Sequence, residues 1–118
     1  MRVAAIDIGT NSVLLTVAEL SHSAELKPIY EAQKITRLGE KTAQTKRLSP
    51  VSMKRTLAAV SFFQKQAIEL GARKIWAVGT SALREAKNSG KFIRRLQART
   101  GLKLEIISGK EEAELGLK

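Results

Sequence analysis

Arg2-Val3-Ala4-Ala5-Ile6-Asp7-Ile8-Gly9-Thr10-Asn11-Ser12-Val13-Leu14-Leu15-Thr16-Val17 is the stretch on which the fold turns. Two runs of aliphatic and β-branched residues, Arg2 to Asp7 and Val13 to Leu20, flank a short polar connection from Gly9 to Ser12. That pattern predicts a hairpin of two strands. The connection also carries chemistry. Asp7 puts a carboxylate at the end of an apolar strand, Gly9 lets the backbone turn sharply, and the amides and hydroxyls of Thr10, Asn11 and Ser12 can donate to phosphate oxygens. Asp7 would meet such a phosphate only through a cation or water, because like charges repel. Taken alone, the same residues also fit an Asx-type turn with no ligand.

Moving outward, Leu26 to Leu38 reads as a third strand, although Pro28 cannot donate a ladder bond. The polar stretch from Gly39 to Leu48 reads as a loop. Ser49-Pro50 is a helix start, with a capping hydroxyl followed by proline at the first helical position. Met53, Leu57, Val60, Phe63, Ala67 and Leu70 then recur at three- and four-residue spacings, and Gly71 suits a left-handed stop. Lys74 to Val78 returns to a strand, Thr80 to Glu85 forms a short helical turn, and Ser89 to Thr100 forms an amphipathic helix ended by Gly101. A last strand is expected over Leu102 to Ile107, with a helix opening at Ser108. Three strands before the first long helix, then alternation, predict an α/β fold. It is a mixed five-stranded sheet with helices on its faces, matching the ribonuclease-H-like unit of the actin-like ATPase superfold.

The 118 residues, 43% of them hydrophobic with two prolines, suffice for one globular unit with a real core. The absence of cysteine excludes disulfides and thiolate metal sites and fits a reducing compartment. The apolar run after Met1-Arg2 meets Asp7 too early for a signal-peptide core or a membrane span, so the expected location is the cytoplasm. A formal charge of +10 attracts polyanions. Tyr30, Phe62, Phe63, Trp76 and Phe92 do not interleave with the basic residues as a base-stacking platform would, which ranks nucleic acid below phosphate chains.

Three further segments carry candidate chemistry. In Thr36-Arg37-Leu38-Gly39 the Arg37 guanidinium could clamp a phosphate in bidentate fashion, or it could be an exposed strand-end arginine. Gly79-Thr80-Ser81-Ala82-Leu83-Arg84 follows a strand and precedes a helical turn, so the amides and the hydroxyls of Thr80 and Ser81 point out of the carboxyl end of the sheet. Helix capping by Thr80 or Ser81 is the plainer reading. Ser108-Gly109-Lys110-Glu111 has the spacing of a capping box, which occupies Glu111. Glu112, about 100° further round the helix, is free to serve as a base. A solvated surface glutamate is the alternative. His22 lies in a polar turn without partners and receives no role.

Four segments, Ala5 to Ser12, Ile35 to Glu40, Ala77 to Arg84 and Glu105 to Ala113, together resemble the exopolyphosphatase/guanosine pentaphosphate phosphohydrolase (Ppx/GppA) family. They occur in order and at the expected intervals over nearly the whole chain, with Ser108-Gly109-Lys110-Glu111-Glu112-Ala113 the most specific. The resemblance implies hydrolysis of terminal phosphoanhydrides of polyphosphate or guanosine pentaphosphate, with Mg2+, in a cleft between two domains. By that similarity Glu112 matches the general base, and Thr10, Asn11 and Ser12 match the first phosphate loop. Arg84 matches a basic residue lining the cleft, and Asp7 matches the acidic residue that helps hold the metal through water.

Two departures stand out. Lys41 follows Leu38-Gly39-Glu40 where the family commonly has another glycine. The chain also stops at Lys118, before the second glycine-rich phosphate loop, so it is expected to be a single N-terminal subdomain of a longer parent and inactive alone. A homodimer of that parent is left open. Two other readings stay in view: a nucleotide-binding kinase of the same superfold, and a non-catalytic polyanion-binding module.

Overall fold

The computed structural model describes residues 1–106, apart from the side chains of Ala43 and Ser81. Strands β1 (Arg2–Ile8) and β2 (Ser12–Leu20) form the expected hairpin, paired from Arg2 with Glu19 to Ile8 with Val13. Strand β3 (Leu26–Ile35) pairs antiparallel with β2 and lies at the edge of the sheet. Pro28 is tolerated there for two reasons. The edge leaves one side of the strand without ladder bonds, and the register with β2 shifts at Val17/Ala18, opposite the proline. The strand stops at Ile35, three residues short of the expected Leu38, because Arg37 adopts a left-handed backbone with φ 52° that no strand can contain.

The expected loop from Gly39 to Leu48 contains a short helix, α1 (Thr42–Thr45). Left-handed residues bound it on both sides, Lys41 (φ 62°) and Lys46 (φ 60°), and the Thr45 hydroxyl donates to the Lys41 carbonyl at 3.1 Å. One polar turn has no apolar stripe, which is why periodicity did not reveal it. Helix α2 (Pro50–Glu69) starts as its sequence predicts: the Ser49 hydroxyl accepts from the Ser52 amide at 3.1 Å, and Gly71 turns the chain away with φ 86°. Strand β4 (Ala72–Gly79), helix α3 (Ser81–Glu85), helix α4 (Ser89–Thr100) and strand β5 (Leu104–Ile106) follow, with Gly101 left-handed at φ 73° after α4. The helix expected from Ser108 lies outside the described residues. Among the described residues no helix is long and apolar enough to cross a membrane.

The sheet order is β3-β2-β1-β4-β5, with β2 antiparallel to its neighbours and β1, β4 and β5 parallel. Both crossovers, β3 to β4 through α2 and β4 to β5 through α4, step in the same direction across the sheet. Right-handed connections therefore put α2 and α4 on the same face. The core lies there: Ala4, Ile6 and Ile8 of β1, Val13, Leu15 and Val17 of β2, and Ala77 of β4 meet Met53, Leu57, Val60 and Phe63 of α2 and Phe92 and Leu96 of α4. The opposite face carries the alternate residues Ala5, Leu14, Thr16, Trp76 and Val78, with Trp76 half exposed.

One side-chain bracket ties the α1–α2 connection to the start of α4. The Asn88 carboxamide accepts from the Leu48 amide at 2.7 Å and donates to the Leu48 carbonyl at 2.9 Å, while the Lys87 amide donates to the Lys46 carbonyl at 2.8 Å. Leu48 is itself buried. Asn88→Ala removes both partners at once and is expected to destabilise the protein by about 1–3 kcal/mol, the cost of a buried polar group left unpaired. Urea unfolding of the two proteins measures it, and an unchanged midpoint would count against the bracket.

Candidate functional site

Three loops follow the carboxyl ends of β1, β3 and β4, which run in the same direction, and the structure brings them together. Gly9 donates its amide to the Ser12 carbonyl at 2.9 Å and closes the hairpin turn. The Asn11 carbonyl accepts from the amides of Thr36 and Arg37, both at 3.0 Å, and the Thr10 carbonyl accepts from the Gly39 amide at 2.9 Å. On the other side, the Thr80 amide and hydroxyl reach the Ile8 carbonyl at 3.2 and 3.4 Å. The turn thus engages the carbonyls of Ile8, Thr10 and Asn11 with its neighbours and that of Ser12 within itself. Carbonyl dipoles repel anions, and all four of these carbonyls are engaged in internal bonds.

The place is also topologically marked. From β1 the chain steps toward β3, whereas from β4 it steps toward β5, so the strand order reverses between β1 and β4. Open α/β sheets bind ligands outside the carboxyl ends of their strands at such a reversal.

The expected residues within the described part of the chain can be located. Asp7 is buried at 4% exposure one position before the end of β1, in the row Leu14–Asp7–Val78 across three strands. Gly9 makes the expected sharp turn without a positive φ. Its lack of a side chain is what the site uses, since a Cβ there would sit 3.2 Å from the Ser12 carbonyl and 3.9 Å from the Thr80 hydroxyl. Thr10 and Ser12 are half-buried and Asn11 is exposed. The Ser12 hydroxyl accepts from the Gln33 amide nitrogen at 2.9 Å, which leaves its own proton for another acceptor.

Thr80 is buried at 5% exposure and makes no capping bond to α3 among the described residues, so its hydroxyl does not do the plain capping job. The Ser81 side chain lies outside what is described. The Arg84 side chain is exposed, and its amide bonds the Thr80 carbonyl at 3.2 Å. Arg37 is exposed as well, carried on the left-handed residue that follows the strand rather than on the strand itself. Glu111 and Glu112 lie outside the described residues.

Three residues contribute without having been assigned a role from the sequence. At Gly39 an added Cβ would overlap Thr10 Cγ2 and stand 3.2 Å from Ala82 Cβ, so this glycine is where the three loops touch. At Gly79 it would overlap Leu83 Cδ1, which lets α3 turn closely over the end of β4. Arg55 of α2 donates through Nε to the Thr36 carbonyl at 2.9 Å, and through Nη2 to Ser52 Oγ at 3.1 Å and Glu40 Oε2 at 3.2 Å, steadying the β3 loop from behind. The available signal was the interruption of the apolar stripe of α2 by Ser52 and Thr56, both fully buried.

Residues 16–118 match the model of the Ppx/GppA phosphatase family. The chain is 29% identical over 115 residues to exopolyphosphatase 1 of Mycobacterium tuberculosis, covering 98% of this chain and 33% of the relative. It is 34% identical over 121 residues to the bifunctional 3-dehydroquinate synthase/phosphatase of Fusobacterium nucleatum, covering 98% of this chain and 18% of that protein. The crystal structure of the Aquifex aeolicus Ppx/GppA family member superposes with a TM-score of 0.88 at 38% identity, covering 95% of this chain and 36% of the other. The chain therefore spans about a third or less of the length of these proteins. Its mixed sheet is the one expected for an actin-like ATPase fold. With the three loops meeting where the family's segments were quoted, the chain belongs to the Ppx/GppA phosphatase family.

Proposed function

We propose that this chain forms the first phosphate-binding wall of a phosphohydrolase that releases phosphate from the terminal phosphoanhydride of polyphosphate or guanosine pentaphosphate. The observation that carries the reading is the meeting of the Gly9–Ser12, Thr36–Gly39 and Gly79–Thr80 segments at the strand-order reversal, with their carbonyls turned inward. Donors from Thr10, Asn11 and Ser12 hold the oxygens of the terminal phosphoryl group, and Arg37 from the β3 loop and Arg84 from α3 offset its charge. Glu112 takes a proton from water as its oxygen attacks the terminal phosphorus. The bond from that phosphorus to the bridging oxygen breaks, and the shortened chain leaves with the electron pair.

The donor set suits magnesium. No group of three or more His, Cys, Asp or Glu gathers among the described residues, so no all-protein cage forms there, but magnesium is commonly held by one or two carboxylates, waters and substrate phosphate. Asp7 would be the carboxylate, acting through water. The bound ion supplies charge neutralisation on the phosphate oxygens.

The test is a labelled-phosphate assay on the full-length parent with long-chain polyphosphate and with guanosine pentaphosphate. Label is expected in free phosphate. Label delivered to an acceptor instead of water would overturn the hydrolase reading in favour of a kinase. The purified 118-residue chain should release little phosphate, because the second phosphate loop of the family is not in it. Sustained magnesium-dependent turnover by the chain alone would contradict the placing of the opposite wall elsewhere.

A further inference from the structure

A cavity of about 450 Å³ opens beside the phosphate turn, between the α1 segment and the first turn of α2, and the mechanism above makes no use of it. Its walls include Glu40, Lys41, Arg47, Ser49, Ser52 and Arg55. The charges do not cancel. Arg55 and Glu40 are paired at 3.2 Å, which leaves Lys41 and Arg47 with no carboxylate partner among the described residues. The Arg47 wall is held by its neighbour, since Leu48 is bracketed through both backbone groups by Asn88. The Arg55 wall is held by its bonds to Thr36, Ser52 and Glu40. The volume falls in the range of ligand pockets and exceeds what one phosphoryl group needs.

The β3 loop links the cavity to the turn, since Glu40 in the cavity wall directly follows Gly39. Gly39 bonds the Thr10 carbonyl, and Lys41 stands two residues further along, within about 8 Å by chain length. We propose that this cavity is a second phosphoryl subsite, engaging a phosphate group of the same polyanion remote from the bond that breaks. The inference rests on the phosphohydrolase reading for its substrate. A ligand carrying one phosphoryl group at the turn cannot fill both places, whereas a long phosphoanhydride chain, or a nucleotide phosphorylated at two positions, can.

The experiment compares the full-length protein with its Lys41→Gln/Arg47→Gln variant. The preference in kcat/KM for long-chain polyphosphate over tripolyphosphate is expected to fall about tenfold, carried by KM, as for the loss of a charged hydrogen bond. A loss confined to guanosine pentaphosphate would assign the subsite to a nucleotide-borne phosphate, a loss confined to long chains would assign it to the polymer, and an equal loss would assign it to both. An unchanged preference for both substrates overturns the proposal, as does a loss carried by kcat alone. Calorimetric titration with long-chain polyphosphate provides a readout that does not need turnover. There the variant should bind about tenfold more weakly than Arg94→Gln/Arg95→Gln, which removes two exposed charges from α4. Equal weakening by both pairs would reduce the cavity to general charge and sink the proposal. If no phosphate is released by the unmodified protein, the hydrolase reading fails while the titration still decides the subsite.

Discussion

In a full-length protein carrying this chain, Glu112→Gln should lower the rate of phosphate release by roughly 10²–10⁴-fold, the range for removal of a general base. The substitution keeps the size of the side chain and its hydrogen-bonding capacity and removes only the ability to accept a proton as a carboxylate. Its neighbour should behave in the opposite way. Glu111 stands three residues after Ser108 in a capping-box spacing, so Glu111→Ala is expected to cost about 0.5–2 kcal/mol of stability and to leave much of the turnover intact. Melting temperature and rate, measured on both variants, therefore separate the two carboxylates. Near-normal turnover in Glu112→Gln, with activity abolished in a folded Glu111→Ala protein, would reverse the roles.

Gly39→Ala should reduce activity of the full-length protein by about 10²-fold, as expected when a reacting group is displaced by about 1 Å. The new methyl group would overlap Thr10 Cγ2 and press on Ala82 Cβ at 3.2 Å. Neither neighbour yields easily: Thr10 is branched and its carbonyl is tied to Gly39 itself, while Ala82 belongs to α3. A stability loss of about 1–3 kcal/mol from overpacking should accompany the kinetic defect. The contact also provides its own rescue. Thr10→Ser deletes the overlapping methyl and keeps the hydroxyl, so the double variant should recover most of what Gly39→Ala loses. Failure of that rescue would show that the defect lies elsewhere. Gly90→Ala is the contrasting case, because a Cβ there meets only the flexible end of Arg94 at 3.3 Å and should raise stability by about 0.4–1 kcal/mol.

Elements whose signals are local were legible in the sequence. Ser49-Pro50, the apolar stripe down to Ala67, and Gly71 define α2 within a few consecutive residues, and the two apolar runs around Gly9–Ser12 define the hairpin. What was missed depends on partners distant in the chain. The α1 turn is held by left-handed lysines and by the tether from Lys87 and Asn88, none of which leaves a periodic mark. The end of β3 depends on Thr36 and Arg37 turning to bond Asn11, an interaction invisible until the hairpin and the third strand are side by side. The candidate site divides the same way. Its residues could be marked from short polar segments after apolar strands. The inward use of the carbonyls and the contact at Gly39 follow only from tertiary assembly.

Trp76 is the only tryptophan in the chain, and it stands half exposed on the sheet face opposite α2 and α4. The protein therefore carries an intrinsic fluorophore on the side of the sheet away from its main core. Polypeptide that packs over that face, whether from the remainder of a longer parent or from a partner, will shift the indole emission to shorter wavelength and shield it from a soluble quencher. Ligands confined to the loops at the carboxyl ends of the strands will leave the signal largely unmoved. Emission and quenching of one residue can thus report assembly separately from catalysis, without a label.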